Sequence, residues 1–299
     1  MRFTNNFDSS KAVNFTHILK WKLFHRQQKE IESKNNILES KNDKVLLESK
    51  QNFICWLSHA TFLIQIDNKR FLFDPVFGSI PFYKRKSPFP YNIDDLGKID
   101  YLLLSHTHYD HFDKPSIKKI LKQKPKLITP LGMDGYIKKI DKKADTHCMD
   151  WYDKYELNSE LSIHFVPAKH WGRRGLNDTN KALWGGFILK TPKSTIYFSG
   201  DTAYDSHFKD IGGRFNIDYA LLPIGAYKPE FIMKNNHTNP DEAYKAYKDL
   251  KARKMIPMHY GTFELSDEPL SEPLEWIKKI EIMHKDEITI LKSGEVLKI

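Results

Sequence analysis

The stretch Ser105-His106-Thr107-His108-Tyr109-Asp110-His111 constrains this chain more than any other. His106, His108, Asp110 and His111 can each ligate a transition metal. They follow the apolar run Tyr101-Leu102-Leu103-Leu104, which reads as a buried strand. Phe112-Asp113-Lys114-Pro115-Ser116 then reads as a helix entry, with Asp113 as cap and Pro115 in the first turn. The four side chains therefore sit on a loop between a strand and a helix. In layered α/β folds, sites form in the crevice at the carboxyl ends of strands. Ordinary surface polarity does not call for imidazole and carboxylate at this density, whereas a zinc-type site does.

Composition narrows the setting. The chain has 299 residues, 40% of them hydrophobic, enough to bury a full core. No apolar run reaches the length of a membrane span, and the N-terminus lacks the order of a signal peptide. Cys55 and Cys148 are the only cysteines. Both stand beside apolar residues and read as buried free thiols, which points to a reducing cytoplasm. The net charge of +9 favours anionic partners. No RNP-like stretch, helix-turn-helix pattern or Gly-rich phosphate loop points to nucleic acid, so a lysine-rich solvated surface is the plainer reading.

Residues 1–51 differ from the rest and are read as a polar, helical extension. Within them, 12–28 carry aromatic and aliphatic residues among basic ones. This pattern suits a helix packed on the main domain or one lying on a membrane surface. The globular domain is read as 52–299. Its expected strands include 53–57, 62–66 and 70–73, with a hairpin turn at Asp67-Asn68-Lys69. Residues 78–98 read as a long loop of the kind that walls functional sites. Further strand-like runs end at Lys126–Thr129, Leu161–Val166, Leu183–Leu189, Thr195–Phe198, Tyr219–Leu222 and Met255–Met258. Helices are expected over 116–123, 132–140, 240–250 and 271–284, and two short strands close the chain.

Several of these runs deliver a candidate ligand at their ends: the His106 cluster, His170, Asp201 and His259. Together they offer five imidazoles and two carboxylates. One catalytic zinc needs about three protein ligands, so seven with a shared carboxylate suit two metals. Spacing alone places only the His106–His111 cluster. A lone histidine such as His170 or His259 is more often a hydrogen-bonded structural residue.

The pattern His106-x-His108-x-Asp110-His111 resembles the signature of the metallo-β-lactamase superfamily. Further blocks resemble its N-acyl-phosphatidylethanolamine phospholipase D group. They include Trp56-Leu57-Ser58-His59-Ala60-Thr61, Phe73-Asp74-Pro75, Pro167-Ala168-Lys169-His170-Trp171 and Phe198-Ser199-Gly200-Asp201-Thr202. Leu183-Trp184-Gly185-Gly186, Leu222-Pro223-Ile224-Gly225-Ala226-Tyr227, His237-Thr238-Asn239-Pro240 and His259-Tyr260-Gly261-Thr262-Phe263 complete the set. Ser58 and Tyr260 depart from the usual glycine and tryptophan, and neither removes a ligand.

The resemblance implies an α/β fold, the αββα sandwich, with two Zn2+ ions and a bridging hydroxide at its edge. It places His106, His108 and His170 on one zinc, Asp110, His111 and His259 on the other, and Asp201 between them. Asp110 and His237 carry over as catalytic residues, Asp110 orienting the hydroxide and His237 near the phosphate. Asp74 carries over as a residue that orients ligands, and His59 either serves similarly or makes a core hydrogen bond. The implied substrate is an N-acyl-phosphatidylethanolamine-like phospholipid, with peripheral membrane contact and a homodimer. The same site also suits a lactone, another phosphodiester or a nucleotide, and a binding protein with a vestigial site is the non-enzymatic alternative. In the long loop, Phe82, Tyr83, Phe89 and Tyr91 read equally as acyl-chain contacts or as loop anchors. Lys84, Arg85 and Lys86 suit anionic head groups.

Overall fold

The apolar runs pair into two sheets whose facing sides share one core. The computed structural model describes residues 2–5 and 38–299. The extension read over 12–28 lies outside the described residues. The first sheet contains β1 (Phe53–Trp56), β2 (Phe62–Ile66), β3 (Lys69–Phe73), β4 (Tyr101–Leu103), β5 (Lys126–Pro130), β6 (Thr146–Met149) and β13 (Val296–Lys298). Their order across the sheet is β13-β1-β2-β3-β4-β5-β6. The second contains β7 (Lys154–Glu156), β8 (Ser162–Val166), β9 (Gly186–Lys190), β10 (Thr195–Phe198), β11 (Tyr219–Pro223) and β12 (Lys254–Met258), in the order β12-β11-β10-β9-β8-β7.

Strand alternation explains the layering. Every residue of β1 and β2 is buried, so each strand is covered on both faces. Ile54, Phe62, Ile64 and Phe73 point inward and pack with Phe187, Phe198 and Ile256 of the opposite sheet. Their neighbours Phe53, Cys55, Leu63 and Leu72 point outward. They meet Ile117 and Ile120 of α2 (Lys114–Leu121) and Ile137 of α3 (Asp134–Ile137). The second sheet is covered by α4 (His207–Arg214), α6 (Pro240–Leu250) and α7 (Glu272–Met283), through Phe208, Ile211, Ala246, Leu250, Ile277 and Ile280; the short α5 (Glu230–Met233) precedes α6 in the chain. This is the αββα sandwich. Each fully buried phenylalanine contributes about 1.5–3 kcal/mol through removal from water.

Local signals act as their chemistry requires. Asp113 caps α2 by accepting from Ser116 N at 3.0 Å. Asn239 caps α6 in a reciprocal box with Glu242. Asp67 and Asn68 take φ of 50° and 58°, the left-handed pair that closes the β2–β3 hairpin. The chain before β1 also packs in: Leu38 joins the inter-sheet core, and α1 (Lys44–Leu47) buries Leu47 against the outer layer.

Some elements differ from expectation. β6 and β7 are edge strands whose hydrogen bonds come from β5 and β8, and their sequences carry little hydrophobic period. α4 contains Gly212 and Gly213, poor helix formers. Gly212 is required there, because a Cβ would lie 2.6 Å from the Asp249 carbonyl oxygen. At the C-terminus only Val296–Lys298 forms a strand, and Ile288 makes a single bridge to Met255. Cys55 is fully buried and burial pushes its thiol far up, whereas Cys148 is half-buried; both are free.

Candidate metal centre

The candidate ligands leave five strand ends on one rim of the sandwich. β3 delivers Asp74, β4 the His106–His111 loop, β8 His170, β10 Asp201 and β12 His259. Asp74 and His259 turn out of their strands with positive φ, 38° and 62°, which swings each side chain off the sheet toward the rim. Gly200, at φ 61°, lets the Asp201 loop approach Ser105; a Cβ there would lie 2.9 Å from the Ser105 Cβ.

Two donor groups form. His108 Nδ1 lies 3.0 Å from His106 Nε2 and 3.1 Å from His170 Nε2. Asp110 Oδ2 lies 3.3 Å from His259 Nε2 and 3.6 Å from His111 Nε2. Asp201 spans both groups. Its Oδ1 is 3.2 Å from His259 Nε2, and its Oδ2 is 3.1 Å from His111 Nε2 and 3.8 Å from His106 Nε2. Ligands at 2.0–2.1 Å from a tetrahedral zinc stand about 3.3 Å apart along each edge, so these spacings fit.

For three of the rings, outer partners set which nitrogen faces inward. His111 Nδ1 donates to Asp74 Oδ2 at 2.7 Å, leaving the Nε2 lone pair free. His170 Nδ1 donates to the Asn236 carbonyl at 2.9 Å, with the same result. Ser105 gives its hydroxyl proton to Asp74 and so accepts from His106 Nδ1 at 2.9 Å. Asp74 thus orients two rings, one directly and one through Ser105. His59 Nε2 lies 3.1 Å from Asp110 Oδ2 and holds that carboxylate in place.

The electrostatics favour a cation. Burial, then the neighbouring imidazoles, hold His106 well below the usual histidine range, and His170 is lowered by burial and His108. Burial opposes charge on Asp110 and Asp201 too, yet the surrounding histidines outweigh it and keep both carboxylates well below their usual range. Burial likewise disfavours protonated His259, but Asp201 and Asp110 raise it to about 9. His108 Nε2, His237 Nδ1, Asp201 Oδ1 and both nitrogens of His259 are buried without a hydrogen bond. Ionised carboxylates among inward-facing imidazoles form a donor set that a divalent metal satisfies.

His237 comes from the loop before α6. Its Nδ1 is 3.8 Å from Asp201 Oδ2, and its ring centre lies 5.3 Å from that of His170 and 5.5 Å from that of His259. Trp171 walls the other side, 4.6 Å from the His108 ring. The structure therefore brings together all seven sequence-selected donors and His237. Sequence reasoning missed Ser105 and Asn236. It also missed Asn5, whose amide donates to the His170 carbonyl at 2.8 Å.

The long loop is corrected in part. Arg85 is not a free cation: it donates to Ser58 Oγ at 2.6 Å and to the Val76 carbonyl, and lies 5.2 Å from the Phe263 ring centre. Lys86 pairs with Glu264 at 3.1 Å. Tyr91 is an anchor, its hydroxyl donating to the Gly294 carbonyl and accepting from Asp43 N. Phe89 packs on Phe77, and Tyr83 packs beside Val76, Ile80 and Phe263.

Comparison with known proteins agrees with this geometry. Residues 69–260 match the family model described as the beta-lactamase superfamily domain. The chain belongs to that superfamily and is a metal-dependent hydrolase of its fold. Within the superfamily it is 36% identical over 246 residues to N-acyl-phosphatidylethanolamine-hydrolyzing phospholipase D 1 of Caenorhabditis elegans, covering 76% of this chain and 69% of the relative. A metal-dependent hydrolase of Pyrobaculum aerophilum is 29% identical, covering 82% of this chain and 99% of the relative. The fold matches Igni18, a metallo hydrolase of Ignicoccus hospitalis, with TM-score 0.65 at 20% identity over 83% of this chain and 98% of that one.

Proposed function

We propose that this chain is a two-zinc phosphodiesterase of phospholipase D type acting on N-acyl-phosphatidylethanolamine-like phospholipids. The observation that carries the two-metal reading is Asp201, whose Oδ2 lies 3.1 Å from His111 Nε2 of one group and 3.8 and 3.9 Å from His106 and His170 Nε2 of the other. His106, His108 and His170 would hold one ion, and Asp110, His111 and His259 the other. Bound zinc would supply a Lewis acid for a phosphoryl oxygen and an activated water near neutral pH.

The chain's own residues supply the rest. His59 fixes Asp110, so that carboxylate keeps one orientation as substrate enters. The buried, unbonded His237 Nδ1 faces the space beside Asp201, where it can hydrogen-bond a phosphate oxygen. Trp171 packs edge-on against His108 and limits water on that side. The substrate reading draws support from the activity named for the C. elegans relative.

The test uses the purified full chain with N-acyl-phosphatidylethanolamine, before and after chelation. The expected result is release of N-acylethanolamine and phosphatidic acid, abolished by chelator and restored by zinc. Absence of metal-dependent release from that lipid, with turnover of another phosphodiester or a lactone, would overturn the substrate reading.

A further inference from the structure

Ile80-Pro81-Phe82-Tyr83, in the loop between β3 and β4, displays a side chain that folding does not explain. The four residues form a tight turn closed by reciprocal backbone hydrogen bonds, Ile80 N to Tyr83 O and Tyr83 N to Ile80 O, each 3.1 Å. Pro81 takes the first corner. Phe82 takes the second with φ 72°, a left-handed position where glycine or asparagine is favoured. The phenylalanine gains no burial in return, because it is 97% exposed.

The base of the turn is firmly held. Ile80 is buried with Val76 and Phe263, and Arg85 ties the following segment to Ser58 and Val76. The Phe263 ring lies 5.0 Å from His59, the residue that holds Asp110. The tip is therefore a fixed projection referenced to the metal centre.

Its surroundings point to one kind of partner. A cleft of about 640 Å3 runs from Ile80 and Pro81 to Tyr109, inside the ligand loop, and is also lined by Lys114, Lys139 and Gly175. Leu176, next to the lining residue Gly175, is 86% exposed. Lys84, Lys114 and Lys139 are exposed and have no ion pair among the described residues. The cleft's Asp178 is already engaged by the backbone N–H groups of Arg174 and Gly175 and by the Tyr136 hydroxyl. Two projecting apolar side chains among cations that lack an ion pair, Lys139 lying over the Tyr136 ring at 5.6 Å, complement an anionic lipid surface, with its acyl interior below and negative head groups around.

We infer that Phe82 and Leu176 dock this protein on anionic membranes, with Lys84, Lys114 and Lys139 on the head groups, so that the cleft opens toward the bilayer. The purpose of this docking rests on the phospholipid reading above, whereas its measurement does not require turnover. The metal-loaded full chain is sedimented with vesicles of phosphatidylcholine containing phosphatidylglycerol, and with phosphatidylcholine alone. Binding is expected to the anionic vesicles, weakened by salt. Phe82→Asp and Leu176→Asp should each lower it by roughly tenfold or more while keeping the melting temperature and metal content of the parent. Emission of a Phe82→Trp variant should be quenched by brominated acyl chains beyond the parent's level.

Failure of the parent to bind anionic vesicles, or equal binding by Phe82→Asp, would overturn the inference. Loss of self-association in Phe82→Asp, with vesicle binding unchanged, would also overturn it and make the patch a contact between copies. Vesicle binding that depends on Phe82, without lipid hydrolysis, would sink the phosphodiesterase reading and leave the docking surface standing.

Discussion

The two donor groups share Asp201 but are built differently. The group of His106, His108 and His170 offers three imidazoles, and the outer partners of His106 and His170 are a hydroxyl and a backbone carbonyl. The group of Asp110, His111 and His259 contains a carboxylate and is braced by ionisable partners, Asp74 and His59. The first depends on the position of loops. The second depends on charge, and removing one charge there leaves another buried and unmatched. Asp74 belongs to both, directly through His111 and indirectly through Ser105 and His106.

The sharpest break of this comparison is Asp201→Ala. It removes the one donor that faces both groups, so metal content measured by elemental analysis should fall below one ion per chain. Turnover should drop by on the order of a thousandfold or more. Retention of two ions would show that the groups are independent.

Asp74→Ala comes next. It frees His111 and Ser105 together, leaving buried donors unpaired, at about 1–3 kcal/mol in stability and about 10–100-fold in metal affinity. Competition with a fluorescent chelator and a thermal melt check both numbers.

A finer separation comes from two single partners. His59→Ala should weaken the ion held by Asp110, and Ser105→Ala the ion held by His106, each by about 10-fold toward the low end for such partners. Stepwise titration of the stripped protein should show one altered step in each variant. Altered affinity at both steps in His59→Ala would join what the structure separates.

The smallest effect concerns the support beneath His170 and Asp201. Lys169 N donates to Thr202 Oγ1 at 3.0 Å, and the buried His207 ring lies 3.1 Å from that oxygen. Burial pushes His207 down to about 3. Its unfolded form takes up a proton near the ordinary value of about 6.5. Stability from this group is therefore complete above that value and declines as pH falls through it toward 3. The urea midpoint should drop between about pH 8 and pH 5, and His207→Gln should drop less over the same interval. An identical drop in the variant would remove His207 from this account.

Legibility in the sequence followed the distance over which each interaction acts. The ligand loop, the Asp113 cap and the Asp67-Asn68 turn are complete within a few residues, and all could be read. Arg85 could not, because one cation within Lys84-Arg85-Lys86 carries no mark of its burial against Phe263. The edge strands β6 and β7 owe their form to partners rather than to a hydrophobic period. Ser105 looked like a residue next to a ligand. Its role appears only when Asp74, 31 residues earlier, arrives beside it.

By itself the sequence determined the chemistry available to this protein: five imidazoles and two carboxylates at strand ends, and the family they resemble. Side-chain type is a covalent property, so no folding was needed to know it. The tertiary structure decided which nitrogen of each ring faces inward and that Asp201 reaches both groups. His170 shows why: its tautomer is set by the Asn236 carbonyl, 66 residues away. A backbone oxygen is common to every residue, and only its position in the fold makes it specific.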